Sequence, residues 1–213
     1  MKTSDLIAAL AADTTPVRRA SVARNLLIAA VVGSVATLVV LVAWLGLNPV
    51  MPVLGASWFW MKGGYAAALA LSGFLLLNRL ARPGAPVGRA ALVIGALALL
   101  VMAMLAMHSS MHATPGQTRQ LWLGDTWKVC PFRILLLSIP VYLGLTWALR
   151  RLAPTRLALT GAAAGLAAGA LAAAIYGLYC REWAAPFVFV WYSLGVGLSA
   201  AFGALVGTRL LRW

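Results

Sequence analysis

The chain has 213 residues, of which 63% are hydrophobic and only 10% are charged. A soluble domain is nearer half apolar and one quarter charged. This composition excludes a disordered chain and a secreted disulfide scaffold, and it leaves no room for a soluble catalytic domain. The net charge of +13 is compatible with a nucleic-acid partner, but the apolar fraction favours a compact polytopic membrane protein.

Six apolar segments reach or approach the length that a helix needs to cross the ~30 Å hydrocarbon core of a bilayer. The predicted spans are 26–47, 63–77, 90–107, 134–149, 157–179 and 186–206. The second span is the shortest, and Trp58 to Met61 could extend it. We predict an all-α, six-transmembrane-helix bundle, in which residues 1–24 form an N-terminal segment and residues 25–213 form the membrane domain.

The distribution of basic residues predicts the orientation. Six spans place both termini on one side, and that side carries twelve of the 17 Lys and Arg residues. Because cytoplasmic loops are enriched in Lys and Arg, we predict cytoplasmic termini in a bacterial inner membrane. The basic excess is then a topology signal, so we expect contact with lipids and no direct contact with nucleic acid.

Ionisable residues are absent from the middle of the predicted spans. The four acidic residues all lie outside the spans, and Lys62 is assigned to the outer side, just before the second span. Ion-coupled transporters usually carry ionisable residues inside the membrane. A small transporter is therefore a weaker alternative.

The N-terminal segment contains a predicted short helix at residues 3–12. Leu6, Ile7 and Leu10 share one face of this helix. A helix of this length is marginal alone in water, so it needs a surface to pack on. That surface is either the membrane or the bundle itself, or else a cytoplasmic protein with a groove that accepts a helix.

The long outer loop between the third and fourth spans begins with a Met/His cluster. Its members are His108, Met111 and His112. Imidazole and thioether groups suit copper, and imidazole suits zinc. The alternative is that these side chains are merely solvated or face lipid at the end of a helix.

Only two cysteines occur, Cys130 and Cys180, and the topology places both at the outer face. They could form a static disulfide or remain inert thiols. Alternatively, the nearby basic residues could favour reactive thiolates. Two thiolates, with Glu182 or a histidine, could also hold a soft metal transiently, although no obligatory cofactor is predicted. The absence of C-x-x-C argues against a membrane thiol redox enzyme of the usual pattern.

Small residues recur every four positions in the last two spans, as in helices whose backbones approach closely. We expect them to pack the fifth helix against the sixth, with a homodimer interface as the alternative. They are Gly161, Gly165 and Gly169 in the fifth span, and Gly195, Ser199, Gly203 and Gly207 in the sixth.

Several short motifs, in this order and at these distances, resemble the NrsF-type membrane anti-sigma factors, the negative regulators of sigma-F. They are M-K-T-S-D-L-I-A-A-L-A-A-D at the start, Cys130-Pro131, Cys180-x-Glu182, Trp191-Tyr192 and the terminal G-x-R-L-L-R-W. The resemblance covers nearly the whole chain. The zinc-binding H-x-x-x-C-x-x-C of many soluble anti-sigma domains is absent.

The resemblance implies a regulator rather than an enzyme. It implies an inner-membrane protein that holds an extracytoplasmic-function sigma factor inactive and releases it under heavy-metal or oxidative stress. Sensing is then assigned to Cys130 and Cys180. Our own interpretation adds possible support from Glu182 and the Met/His cluster, and it places sigma contact in the N-terminal segment. The predicted contact residues are Leu6, Ile7, Leu10 and Asp13.

Overall fold

A computed structural model describes residues 3–12, 19–46, 57–82, 84–152 and 154–212, and every regular element in these ranges is helical. Six helices are long and apolar enough to cross a membrane, which confirms the prediction of an all-α chain with six such helices. The helices are α1 (Thr3–Ala12), α2 (Arg19–Trp44), α3 (Ser57–Leu80), α4 (Arg89–Met111), α5 (Pro115–Leu123), α6 (Cys130–Leu149), α7 (Leu157–Tyr176) and α8 (Ala185–Leu210).

Two helix boundaries differ from the sequence prediction. Helix α3 begins at Ser57, so Lys62 lies inside a membrane-length helix and its assignment to the region before the second span was wrong. Helix α7 ends at Tyr176 rather than at 179, because the chain turns there and the Tyr179 and Cys180 amides both donate to the Tyr176 carbonyl. Helix α5, inside the long loop, was not predicted.

The helices alternate in direction, so α2 begins and α8 ends at the same end of the bundle. We call this end the terminal face, and we call the opposite end, where Cys130 and Cys180 lie, the thiol face. At the terminal face, Arg150 Nε donates a hydrogen bond of 2.7 Å to the Leu210 carbonyl. The ends of α6 and α8 are thereby joined.

Helix α7 is the most buried of the membrane-length helices, because its Ala- and Gly-rich surface lets neighbours approach closely. A Cβ atom at Gly161 would collide with the backbone of Gly203, and one at Gly165 would collide with the backbone of Ser199. Gly169 also faces Ser199, and Gly207 faces Gly161. This stripe is therefore used between α7 and α8 within one chain, and a homodimer would need another surface.

Gly195 belongs to the same sequence pattern but packs elsewhere. A Cβ atom at Gly195 would lie 2.9 Å from Cβ of Ile134, so this glycine brings α8 close to α6. A similar contact joins α3 to α7, because a Cβ atom at Gly73 would lie 2.7 Å from the Ala167 amide nitrogen. Both contacts fix the spacing of the helices that carry the cysteines and Lys62.

A few buried hydrogen bonds join neighbouring helices between the two ends. Thr37 Oγ1 donates to the Leu137 carbonyl at 2.9 Å, and Tyr142 Oη donates to the Gly203 carbonyl at 2.9 Å. These donors use main-chain oxygen atoms as acceptors, so none of these polar groups remains unsatisfied in the apolar interior.

Alanine substitution should distinguish the packed glycines of α8 from the lipid-facing ones, because it adds one methyl group. A Cβ atom at Gly203 would collide with the Gly161 backbone, whereas a Cβ atom at Gly197 would meet nothing within 4 Å. We expect Gly203→Ala to lower the free energy of unfolding by about 1–3 kcal/mol through overpacking, and Gly197→Ala to leave it unchanged. Thermal unfolding of the two purified variants in the same detergent measures the difference, and equal melting temperatures would contradict this packing.

Candidate thiol site

The two cysteines, 50 positions apart in the sequence, come together at the thiol face. Cys130 is the first residue of α6, Cys180 follows α7, and their side chains are 0% and 3% exposed. Both are free thiols, they belong to one buried cluster, and Cys130 is close enough to lower the pKa of Cys180. The buried rings of Tyr176, Phe187 and Tyr192 belong to the same apolar cluster.

The turn before α6 positions Cys130. Gly124 ends α5 with a positive φ of 56°, a conformation that glycine adopts without strain. The Cys130 amide then donates to the Thr126 carbonyl at 2.9 Å. Pro131 occupies the first turn of α6, where its missing N–H removes no helical hydrogen bond.

The link from α7 to α8 positions Cys180. The Cys180 amide donates to the Tyr176 carbonyl at 2.9 Å, which closes one further turn of the chain after α7. Pro186 then lies in the first turn of α8, as the sequence predicted. Cys180 is therefore held on a short connection between two membrane-length helices.

Lys62 lies beside this connection and is the principal residue that the sequence reasoning missed. Its side chain is only 2% exposed. Its ammonium group donates to the Cys180 carbonyl at 2.9 Å and to the Glu182 carbonyl at 2.8 Å. It also lies 4.9 Å from the ring centre of Trp58 and 5.9 Å from that of Tyr192, within the range of cation–π attraction.

Two basic residues that are near Cys130 in sequence lie over aromatic rings. Lys128 Nζ lies 5.4 Å from the ring centre of Trp127, and the Arg133 guanidinium lies 5.4 Å from that of Tyr179. Lys62 bonds the Cys180 carbonyl, although it is more than 60 residues away in sequence from either cysteine. A lysine within the aromatic run W-F-W-M-K-G-G-Y was the available signal, since an ionisable residue in a membrane helix is a functional candidate by default.

The Glu182 carboxylate is hydrogen-bonded to the turn before α6. Its Oε1 atom accepts hydrogen bonds from the Asp125 amide at 2.7 Å and the Thr126 amide at 3.2 Å. Oε2 would lie 2.7 Å from a Cβ atom at Gly124, so only glycine fits there without displacement. Glu182 thus ties the Cys180 connection to the turn that carries Cys130.

The environment of Cys180 favours its thiolate form. The hydrogen bond from Cys130 is the largest of the effects that lower the pKa of Cys180 to about 6, the Lys62 charge acts in the same direction, and burial opposes both. These effects favour the thiolate, which is the nucleophilic form of cysteine.

Two tyrosine hydroxyls beside the pair are buried without a hydrogen-bond partner. Tyr176 and Tyr192 are 0% and 1% exposed, and neither oxygen makes a hydrogen bond of ordinary geometry. Tyr192 ends a π-helical turn, Val188–Tyr192, within α8. Such turns occur frequently at functional sites, and this one directs a phenol toward the region of Cys180.

The Met/His cluster is separate from the buried thiols. His108 and His112 pair with ring centres 4.6 Å apart, but both are exposed, and Met111 is 79% exposed. His112 lines a cavity of about 530 Å³ that Trp58 and Met61 also line. Among the described residues, no group of three or more His, Cys, Asp or Glu side chains is arranged to hold a metal ion.

The predicted sigma-contact residues lie mostly beyond what the structure describes. Helix α1 contains Leu6, Ile7 and Leu10, but only the Ile7 side chain is described, and it is 63% exposed. Asp13 lies outside the described residues. An apolar side chain exposed on a ten-residue helix is consistent with a helix that packs on something else.

Comparison with known proteins covers the whole chain. The family described as negative regulator of sigma F, NrsF, matches residues 10–213. A protein named probable anti-sigma-F factor NrsF, from Azospira oryzae, is 39% identical over the full length of both chains. The anti-sigma-F factor NrsF of Caulobacter vibrioides is 40% identical, again over both full lengths. No solved structure matches. These matches confirm the resemblance seen in the motifs, and the chain belongs to the NrsF family of negative regulators of sigma F.

Proposed function

We propose that this protein is an anti-sigma factor of the bacterial inner membrane that binds an extracytoplasmic-function sigma factor at its cytoplasmic face. It releases the sigma factor when Cys130 and Cys180 are oxidised. The observation that carries the proposal is the pair of free, buried thiols in one cluster of a chain that matches anti-sigma-F factors from end to end.

The proposed orientation places the thiols where they can be oxidised and the sigma-binding segment where a sigma factor can bind. Cytoplasmic termini place the thiol face in the periplasm, where disulfides form and persist. The same orientation places the N-terminal segment and the end of α8 where a sigma factor is available. The unequal distribution of Lys and Arg supports this orientation.

The chemistry at the pair fits oxidation to a disulfide. The two thiols belong to one buried cluster, which brings them near enough for a ~2.05 Å sulfur–sulfur bond to form on reorientation of the side chains. Cys180, whose pKa is lowered, supplies the nucleophile. Bridging by a soft metal ion stays a prediction, because Glu182 bonds the 125–126 backbone and the histidines are exposed. Neither chemistry requires a resident cofactor.

A disulfide would join the start of α6 to the end of α7, and these helices continue to the terminal face. Moving a sigma-bound state from dominant to rare takes about 5 kcal/mol of differential stabilisation. A disulfide typically contributes about 2–4 kcal/mol, so it supplies much of the required bias. The bundle must have two discrete arrangements for this bias to reach the sigma factor.

The orientation can be tested with a reporter enzyme that is active only in the periplasm. Fused after Trp213, it should be inactive, because the C-terminus is cytoplasmic. Fused into the loop before α6, after Lys128, it should be active, and this fusion serves as the positive control. Activity of the C-terminal fusion would place the thiols in the reducing cytoplasm and contradict the sensing proposal.

Charge on the apolar face of α1 should release the sigma factor. Burying an unpaired charge in an apolar contact costs several kcal/mol, so Ile7→Asp, or Leu6→Asp with Leu10→Asp, should make sigma-dependent transcription constitutive. Ala8→Asp adds the same charge on the opposite side of the helix and should leave repression intact. A transcriptional reporter, read together with membrane protein levels, measures both. Normal repression by the Ile7→Asp protein at normal abundance would remove this face from the mechanism.

Each cysteine should be indispensable for the response. A disulfide or a two-thiolate metal bridge needs both sulfurs, so Cys130→Ser and Cys180→Ser should each repress normally and fail to respond to oxidant. The double variant should be no worse than either single one. The same reporter measures this, and a full response from either single variant would refute the paired-thiol mechanism.

A further inference from the structure

We propose that the two cysteines have different chemical roles. Cys180 attacks the oxidant, Cys130 resolves the product to a disulfide, and Lys62 is the positioning residue that sets this order. The inference rests on the proposed function and assigns the reaction sequence within the same site.

The contacts of Lys62 are directed to the Cys180 connection. The ammonium group bonds the main-chain oxygens of Cys180 and Glu182, and at 2% exposure it is screened from water. Carbonyl oxygens supply hydrogen bonds but no formal negative charge, and the Glu182 carboxylate bonds the 125–126 backbone. A thiolate at Cys180 therefore supplies the anion that this buried cation lacks in its hydrogen bonds.

The groups around Cys130 are engaged elsewhere. Its amide donates to the Thr126 carbonyl at 2.9 Å, Pro131 has no N–H to contribute, and the Arg133 guanidinium lies 5.4 Å from the ring centre of Tyr179.

The two buried tyrosines provide donors for the oxygen that oxidation would add. The Tyr176 and Tyr192 hydroxyls have no hydrogen-bond partner of ordinary geometry, and their ring centres are 6.1 Å apart beside the thiols. Buried polar groups are nearly always hydrogen-bonded. A sulfenic acid oxygen on Cys180 would give one of these hydroxyls an acceptor.

A small peroxide can supply the oxidising equivalents. The Cys180 thiolate attacks one oxygen of hydrogen peroxide, the O–O bond breaks, and the departing hydroxide takes up a proton to leave as water. Cys180 is now a sulfenic acid. The Cys130 sulfur then attacks the Cys180 sulfur, and the S–O bond of the sulfenic acid breaks. The hydroxyl group leaves with the proton of the Cys130 thiol as the second water. Two thiols are oxidised by two electrons, and one peroxide is reduced to two waters.

The test is trapping of the sulfenic acid in single-cysteine proteins. Full-length Cys130→Ser and Cys180→Ser proteins in native membranes are treated with hydrogen peroxide and a dimedone-type trap, and labelled peptides are quantified by mass spectrometry. We expect Cys180, alone in Cys130→Ser, to be labelled roughly fivefold faster at pH 7 than Cys130 in Cys180→Ser. The Lys62 ammonium, which bonds the Cys180 carbonyl at 2.9 Å, remains in both proteins and favours the thiolate at Cys180, and the thiolate is the attacking form. Equal rates, faster labelling of Cys130, or no label on either cysteine would overturn the assignment.

The role of Lys62 is tested in the Cys130→Ser background. Lys62→Gln should slow labelling of Cys180, and Lys62→Arg should restore it, because arginine keeps the charge. Lys128→Gln removes a lysine from the same face, where the side chain is exposed, and should change nothing. Slow labelling in Lys62→Arg as well, at normal membrane abundance, would show that Lys62 acts only through packing. The comparison of the two single-cysteine proteins does not depend on any Lys62 variant folding.

The trapping result and the proposed function can fail separately. If both single-cysteine variants lose the transcriptional response but are labelled equally, the paired-thiol function stands and the assigned order is wrong. If either variant still responds fully to oxidant, the proposed function fails whatever the labelling shows.

Discussion

Lys62 places a positive charge inside the thiol end of the bundle. The hydrogen bonds around this charge hold three chain segments together. Its two hydrogen bonds join α3 to the connection between α7 and α8, and the Glu182 carboxylate joins that connection to the turn before α6. A hydrogen bond to a charged group is worth about 1.5–3 kcal/mol. A buried ammonium without acceptors would be costly, so the ammonium group and these two carbonyls hold one another in place.

The apolar packing of the helices makes this polar network possible. Contacts such as Gly73 against Ala167 and Gly195 against Ile134 bring α3 and α6 close to α7 and α8. Helices separated by larger side chains would leave the Lys62 ammonium short of the carbonyls. The small residues in the spans and the charged residue at their end therefore act together, although they lie far apart in the sequence.

The helices could be predicted from the sequence because membrane spans are recognised by length and hydropathy alone. The proximity of Lys62 to the cysteines could not be predicted from the sequence, because it depends on how the helices pack in the folded bundle. Lys128 and Arg133 are close to Cys130 in sequence, but Lys62 bonds the connection that carries Cys180, since α3 packs beside α7. Helix α5 was missed although T-P-G-Q at residues 114–117 carries the signal: the Thr114 amide donates to Gln117 Oε1 at 3.2 Å, as in a capping box.

The thiol pair lies where a small chemical change would act on several helices together. Cys130 begins α6, Cys180 extends α7, and Lys62 belongs to α3. Converting the pair to a disulfide removes the thiolate, so the Lys62 ammonium keeps its two carbonyl acceptors but loses its nearest candidate counter-charge. Breaking one side of a buried charge pair is strongly destabilising. The bias toward a second arrangement would then come from two sources, the covalent tie between α6 and α7 and the weaker compensation of the charge on α3. Because closely packed helices move as units rather than deform continuously, that bias would be felt at the terminal face, which the same three helices also reach.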